Sequence, residues 1–348
     1  MELANPAMPT ESLKERTAPT LEVAPREAVR SLGYRPWAAQ FVSPHRSIWP
    51  IARVSLTMMF RQKIFWALYV LALFNFIVFF AGIYIFAQID LEALTKNSGK
   101  GLITQNQLKT WTDMKTTLQK QLMLAGNAET FRNFFWFQGY FVVAVLALAG
   151  ATLIGNDYRH GSLPFYLSKP VTRWHYLAGK CLTVGVFINL LTTVPALVLF
   201  AECAMLDDNY LQQNPQVIWG ILGYGAILTV PLSLLIVALA SWLRRTPALI
   251  MVWLGLLLFA RILGNILVDT LHYSPSWRLV NFWNVLYILG AKCFGVGADL
   301  GNAGRRLAGP APPRLQPEAW QALIVVSVVV VACLIYLQRR IRAVEIVN

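Results

Sequence analysis

The chain has 348 residues, a net charge of +13, 56% hydrophobic residues and only 14% charged residues. A soluble globular domain carries roughly 25% charged residues, so this balance argues against a soluble protein. Several apolar runs reach the roughly 20 residues that a helix needs to cross the hydrocarbon core of a bilayer. The composition therefore predicts an all-α integral membrane protein, and the basic charge is explained by the membrane topology described below rather than by nucleic acid.

The N-terminal region divides into a polar tail and an amphipathic segment. Residues 1–45 mix Pro, Glu, Arg and Ala without a sustained apolar run, which predicts a flexible cytoplasmic tail before a membrane domain at 46–348. The stretch that follows alternates apolar residues with Arg, Ser and Gln at helical spacing, and its apolar positions are Ile48, Ile51, Leu56, Met59 and Phe60. Such a helix lies in the membrane interface with its apolar face toward lipid.

Six apolar segments have the length and composition of membrane spans. They lie at about residues 64–88, 134–154, 176–200, 217–243, 248–268 and 319–337. The long polar connection after the first segment also predicts a helix, because apolar residues recur there at helical spacing: Leu108, Trp111, Met114, Leu118 and Leu122.

The segment SWRLVNFWNVLYILGAKCF, before the last span, is shorter than a normal span. Asn281, Asn284 and Lys292 interrupt its apolar character. We therefore expect extracytoplasmic short helices there, interfacial or re-entrant, rather than a seventh crossing.

Basic residues concentrate at alternate span ends, which predicts the orientation. They precede the first span, lie between the second and third and between the fourth and fifth, and follow the sixth: Arg53, Arg61, Lys63, Arg159, Lys169, Arg173, Lys180, Arg244, Arg245, Arg339, Arg340 and Arg342. The loop between the third and fourth spans contains Glu202, Asp207 and Asp208 and no Lys or Arg. By the positive-inside rule, the chain is predicted to be a multi-pass plasma (inner) membrane protein with both termini cytoplasmic.

Catalytic and metal-binding motifs are absent from the sequence. There is no GxxxxGK[ST], HExxH or GxSxG, and the four Cys and four His residues are not spaced as metal ligands. We therefore expect no catalytic residue, no metal site and no cofactor bound by this chain.

Polar residues within the apolar segments are candidates for a substrate pathway, because burying them in lipid is costly. They are Asn75, Asn189, Thr193 and Arg261. Two structural alternatives remain open: Asn and Thr often join helices by hydrogen bonds, and Arg261 could snorkel to the interface.

The connection GNDYRHGSLPFYLSKPVTRWHYLAGK, at 155–180, predicts a short helix on the cytoplasmic side. Gly161 permits a bend before it, Ser162 is a suitable N-cap and Pro164 is tolerated in a first turn. Lys169-Pro170 would stop the helix. The simpler interpretation is a basic loop that only sets topology.

The order of residues in this connection resembles the motif of type 2 ABC transporter permeases, the membrane subunits of ABC exporters. Asp157 stands at the acidic position, followed by Gly161-Ser162-Leu163, Ser168-Lys169-Pro170-Val171-Thr172-Arg173 and Gly179-Lys180. The departures from the family pattern are Asp for Glu, Ser for Thr, and Pro164 within the helix.

The resemblance implies that this loop is a coupling helix that docks on a separate P-loop ATPase. The implied docking residues are Asp157, Arg159, Gly161, Ser162, Leu163, Phe165, Tyr166, Lys169, Pro170, Thr172 and Arg173. It further implies that ATP and Mg are bound by the ATPase, and that a second permease chain, identical or homologous, completes the transporter within the lipid. The alternatives are a membrane-embedded lipid-linked transferase and a non-transporting scaffold subunit. The substrate is not identified by the sequence.

Overall fold

The computed structural model describes residues 48–88, 105–122, 124–153, 173–243, 245–297 and 316–340. These residues form helices with short connections, and no strand occurs among them. The all-α fold class expected from composition is therefore confirmed. The tail predicted at 1–45 lies outside the described residues, so its boundary with the membrane domain stays a prediction.

Six helical segments in the described part of the chain are long and apolar enough to cross a membrane, as predicted. They are span one, Lys63–Gln88; span two, Ala128–Leu148; span three, Trp174–Leu206; span four, Pro215–Trp242; span five, Thr246–Thr270; and span six, Ala319–Arg340. Because successive spans alternate in direction, spans one, three and five begin on one side of the bundle. We term it the basic side, after the Lys and Arg residues at these span ends.

Span two begins earlier than its hydropathy indicates. The predicted start is residue 134, whereas the helix begins at Ala128 and contains Arg132 and Asn133. Both side chains are buried within the protein rather than exposed on its surface. Tertiary packing therefore extends the helix through residues whose polarity ended the apolar run in the sequence.

Spans three and five are interrupted along their length. Span three consists of the helices Arg173–Leu191 and Thr193–Leu206, with a turn at Thr192. Pro195 lies in the first turn of the second helix, where its missing amide hydrogen cannot continue the preceding hydrogen-bond ladder. Span five contains π-helical turns at Gly255–Phe259 and Ile266–Thr270.

Spans two, three and four form the centre of the bundle. In the most apolar 18-residue stretch of each of these spans, 72%, 61% and 61% of the residues are buried. The corresponding fractions are 17%, 28% and 22% in spans one, five and six. Phe135 of span two stacks on Tyr224 of span four, with ring centroids 4.7 Å apart. The Trp253 indole donates a hydrogen bond to the Val143 carbonyl, 3.0 Å away, and so joins span five to span two.

The amphipathic helix is Ile48–Phe60, and it packs on the start of span three. Its buried residues are Ala52, Ser55 and Met59, at helical spacing. Of the predicted apolar face, Met59 is buried in the protein, Phe60 is exposed and Ile48, Ile51 and Leu56 are half-buried. The placement of this helix in the membrane interface stays a prediction. Small residues line the contact because they allow the two helix backbones to approach closely.

The helix predicted in the long polar connection is present at Gln105–Leu122. The apolar side chains of Met114 and Leu118 are exposed on this helix. The periodicity therefore predicted the local conformation correctly.

Two short helical pieces occupy the segment before span six, as predicted, and neither is long enough to cross a bilayer. A 3-10 helix, Pro275–Val280, precedes the short helix Phe282–Cys293. The Asn281 side chain caps the short helix by accepting a hydrogen bond from the Asn284 amide. Residues 282–291 are all buried, because the short helix packs against spans two, four and six.

Candidate functional site

The loop that carries the transporter-like motif connects the helix Ala128–Leu153 to the helix Arg173–Leu191. Most of the predicted docking residues lie outside the described residues: Asp157, Arg159, Gly161, Ser162, Leu163, Phe165, Tyr166, Lys169, Pro170 and Thr172. Arg173 is described as the first residue of the helix that enters span three. The coupling helix therefore stays a prediction.

The last two residues of the motif, Gly179 and Lys180, contact the amphipathic helix. A Cβ atom at Gly179 would lie 2.9 Å from the Ile51 Cγ2 atom and 3.2 Å from the Ile48 carbonyl oxygen. Glycine is therefore needed for the observed approach of the two helices. The sequence alone offers no reason for it, because the contact joins residues more than a hundred positions apart.

Lys180 is buried, although its charge was counted among those that set the topology. Its side chain is 3% exposed, and Nζ donates a hydrogen bond to the Ser55 hydroxyl at 3.1 Å. The ammonium group also lies 5.7 Å from the ring centroid of Tyr176. The helix that contains the end of the motif is thus attached to the amphipathic helix by a polar contact within an otherwise apolar interface.

Asn75, a candidate for the substrate pathway, joins spans one and two. Its Nδ2 donates to Oε1 of Gln138 at 2.8 Å, and the Gln138 amide donates to the Ala72 carbonyl at 3.3 Å. Gln138 is 1% exposed. This arrangement is an interhelical hydrogen-bond pair of the kind that stabilises helix association in membranes.

Asn189 and Thr193 lie together between spans three and four. Asn189 Nδ2 donates to the Gly185 carbonyl at 2.8 Å and to the Thr229 hydroxyl at 2.9 Å, and the Thr193 hydroxyl donates to Asn189 Oδ1 at 2.7 Å. An apolar groove with a volume of about 310 Å³ is lined in part by Asn189 and Thr229. The polar atoms of the cluster bind one another, so the groove presents mainly hydrocarbon surface.

Arg261 lies on span five and faces span two. Its guanidinium donates a hydrogen bond to the Tyr140 hydroxyl and lies over the rings of Trp136 and Tyr140, with centroid distances of 5.2 and 5.5 Å. The side chain therefore binds partners within the spans rather than extending to an end of the helix.

The four pathway candidates do not converge on one site. Asn75 lies between spans one and two, Asn189 and Thr193 between spans three and four, and Arg261 between spans five and two. Arg261 differs from the others in keeping guanidinium N–H groups without an acceptor among the described residues, since its one hydrogen bond goes to Tyr140.

Arg132 and Glu202 are buried charged residues that were not among the candidate site residues predicted from the sequence. Arg132 is 4% exposed; its guanidinium contacts the Gly297 carbonyl and lies 6.0 Å from the ring centroid of Tyr287. Glu202 is 7% exposed, and neither carboxylate oxygen has a hydrogen-bond partner in the described part of the chain. Both were assigned to segments outside the spans, because polar neighbours lower the local hydropathy at span ends. Within the described ranges, no three His, Cys, Asp or Glu residues are grouped as a metal site.

A search among curated proteins found no match. The family described as ABC-2 family transporter protein matches residues 49–278, which is more than half of the chain. The match includes all but the first residue of the amphipathic helix, spans one to five and the entire loop with the transporter-like motif. Proteins of this family are membrane transport subunits and are not themselves the ATPase. Together with the six apolar helices, this match shows that the chain belongs to the ABC-2 family of transporter proteins.

Proposed function

We propose that this chain is the membrane-spanning permease subunit of an ABC exporter, which moves its substrate with energy supplied by a separate ATPase subunit. The observation that carries the proposal is the family match over residues 49–278, because it includes the loop whose motif resembles a coupling helix. The chain contains no P-loop motif, so ATP and Mg would be bound by the partner.

In this proposal the loop at 154–172 docks in a groove of the ATPase through Phe165 and Tyr166. Two connections would transmit a movement of this loop to the helices of the bundle. The loop continues directly into span three at Arg173, and Lys180, less than two helical turns from the start of span three, is hydrogen-bonded to the amphipathic helix. A displacement of the loop would therefore act on span three and on the amphipathic helix together.

The proposal also includes the assembly and its placement. A second permease chain and two ATPase subunits complete the transporter in the plasma (inner) membrane. The basic side faces the cytoplasm, as the distribution of Lys and Arg indicates, and both chain termini lie on that side.

The test is the double variant Phe165→Ala/Tyr166→Ala in the chain coexpressed with its ATPase. Loss of one anchoring aromatic side chain at a hot spot costs about 2 kcal/mol or more, which corresponds to about 30-fold weaker binding. We expect the copurified ATPase and the ATP-dependent transport to fall together while the abundance of the permease in the membrane stays normal.

Tyr273→Ala is the matched control, because Tyr273 is a 55% exposed aromatic residue just beyond span five, on the side opposite the basic side. It should leave ATPase binding unchanged. Normal ATPase binding in the double variant would contradict the coupling-helix assignment. Isolation of the chain as an active, ATP-independent monomer would contradict the permease proposal itself.

A further inference from the structure

Arg261 carries its charge near the middle of the membrane-spanning bundle. At about 1.5 Å per residue, its position in span five is about 14 Å from Thr270 and about 22 Å from Thr246. Its partner Tyr140 is about 12 Å from the end of span two at Leu148. The contact between the two side chains therefore lies well away from both ends of both spans.

The charge of Arg261 is not neutralised by an acidic side chain within the described ranges. Asp269, which lies nearer the end of span five, forms its ion pair with Arg278. Trp136 and Tyr140 provide two aromatic faces and one hydroxyl acceptor, whereas a guanidinium has five N–H donors. Exposure of a charge to hydrocarbon at this depth is costly, so the remaining N–H groups of Arg261 require water or an anionic partner.

The surroundings of Arg261 open on the surface of the chain. Arg261 is half-buried and Tyr140 is 38% exposed, so the guanidinium is accessible beside its aromatic partners. Large apolar side chains surround it on span five, where Phe259 and Ile262 are more than half exposed. A π-helical turn lies on each side of Arg261, and such turns are frequent at functional sites.

We propose that Arg261, held by Trp136 and Tyr140, binds the anionic group of an amphipathic molecule whose apolar body lies along the exposed surfaces of spans two and five. A guanidinium pairs strongly with phosphate or carboxylate oxygens, and an acyl or other apolar chain matches the neighbouring hydrocarbon surface. Identifying this molecule as the transported substrate rests on the proposed permease function. The binding itself does not require the ATPase.

The proposal is tested with the full-length chain purified in a neutral maltoside detergent, with tritiated dodecyl phosphate as the probe in a scintillation proximity assay. We expect saturable binding, at least 10-fold weaker in Arg261→Gln and less than 5-fold weaker in Arg261→Lys, which keeps the charge. Arg339→Gln, at the exposed end of span six, is the matched control and should bind like the unmodified chain. Gel-filtration profiles establish that each variant is folded.

Competition distinguishes the possible sources of the anionic group. Inorganic phosphate alone and dodecylphosphocholine should compete poorly, since the first lacks the apolar body and the second carries a compensating cation. Displacement by phosphatidylglycerol would support the proposal and identify the ligand class as an anionic lipid. Should Arg261→Gln not fold, Tyr140→Phe carries the test, because it removes the acceptor that orients the guanidinium and should weaken binding at least 3-fold.

Three results would overturn the proposal: no saturable binding, unchanged affinity in Arg261→Gln, or equal competition by dodecylphosphocholine. Each is obtained without ATPase in the sample. Failure here therefore leaves the ATPase copurification result unaffected, and failure of that experiment leaves the binding result standing.

Discussion

Gly290 in the short helix faces Tyr224 of span four at a distance that leaves no room for a side chain. A Cβ atom at position 290 would lie 2.3 Å from Tyr224 Cε2 and 2.4 Å from Cδ2 and Cζ. Tyr224 is fully buried and stacked on Phe135, with ring centroids 4.7 Å apart. The ring therefore has no free space into which it could move, and Gly290→Ala must displace either the ring or the short helix.

Overpacking of this kind costs typically about 1–3 kcal/mol, because neighbouring side chains and backbone must shift. We expect Gly290→Ala to lower the midpoint of thermal unfolding by several degrees, measured by tryptophan fluorescence and by the gel-filtration peak that survives heating. Gly255→Ala is the matched control, because no atom lies within 4 Å of a Cβ built there. Alanine is the better helix former, so this control should be neutral or slightly stabilising.

A double-mutant cycle separates the steric clash from other effects of the substitution. In a Tyr224→Leu background the aromatic ring is gone, so Gly290→Ala should cost much less than it does in the unmodified chain. Equal unfolding midpoints for Gly290→Ala and Gly255→Ala would refute the close packing of the short helix against span four. The same conclusion would follow if the cost of Gly290→Ala were identical in both backgrounds.

Three further predictions follow from the polar contacts and the topology. Lys180→Met should increase amide hydrogen exchange in the amphipathic helix, because it removes the buried donor to that helix, and unchanged exchange would contradict a role for this contact. Alanine substitutions of Asn75 and Gln138 should show a coupling energy of about 0.6 kcal/mol in a double-mutant cycle of unfolding, and additive effects would exclude the interhelical bond. In a chain without its native cysteines, a single cysteine at Arg245 should react only with reagents that reach the cytoplasm, and one at Asn209 only with reagents outside. External labelling at position 245 would refute the proposed orientation.

The number of spans was predictable from the sequence because it depends on a local property. Crossing a hydrocarbon layer requires about 20 consecutive apolar residues, and each such run is visible without knowledge of its neighbours. The helix at Gln105–Leu122 and the short helices before span six were predictable for the same reason, since periodicity and segment length are local.

The bounds of span two were not predictable in this way. Arg132 and Asn133 ended the apolar run in the sequence, yet both are buried within the helix. Arg132 is buried against the Gly297 carbonyl and the Tyr287 ring, which come from a segment more than a hundred residues later. Hydropathy averages over neighbours along the chain and contains no information about such partners.

In the candidate sites, too, some features were recognisable from the sequence and others depended on tertiary packing. The loop motif at 157–180 and the exceptional charge of Arg261 were recognisable from residue type and spacing. The pairing of Arg261 with Trp136 and Tyr140, and that of Lys180 with Ser55, emerged only in three dimensions. Sequence determines which polar groups must find partners in an apolar environment, because unpaired burial is costly. Tertiary structure decides which partners they find, because helix packing brings together residues that are distant along the chain.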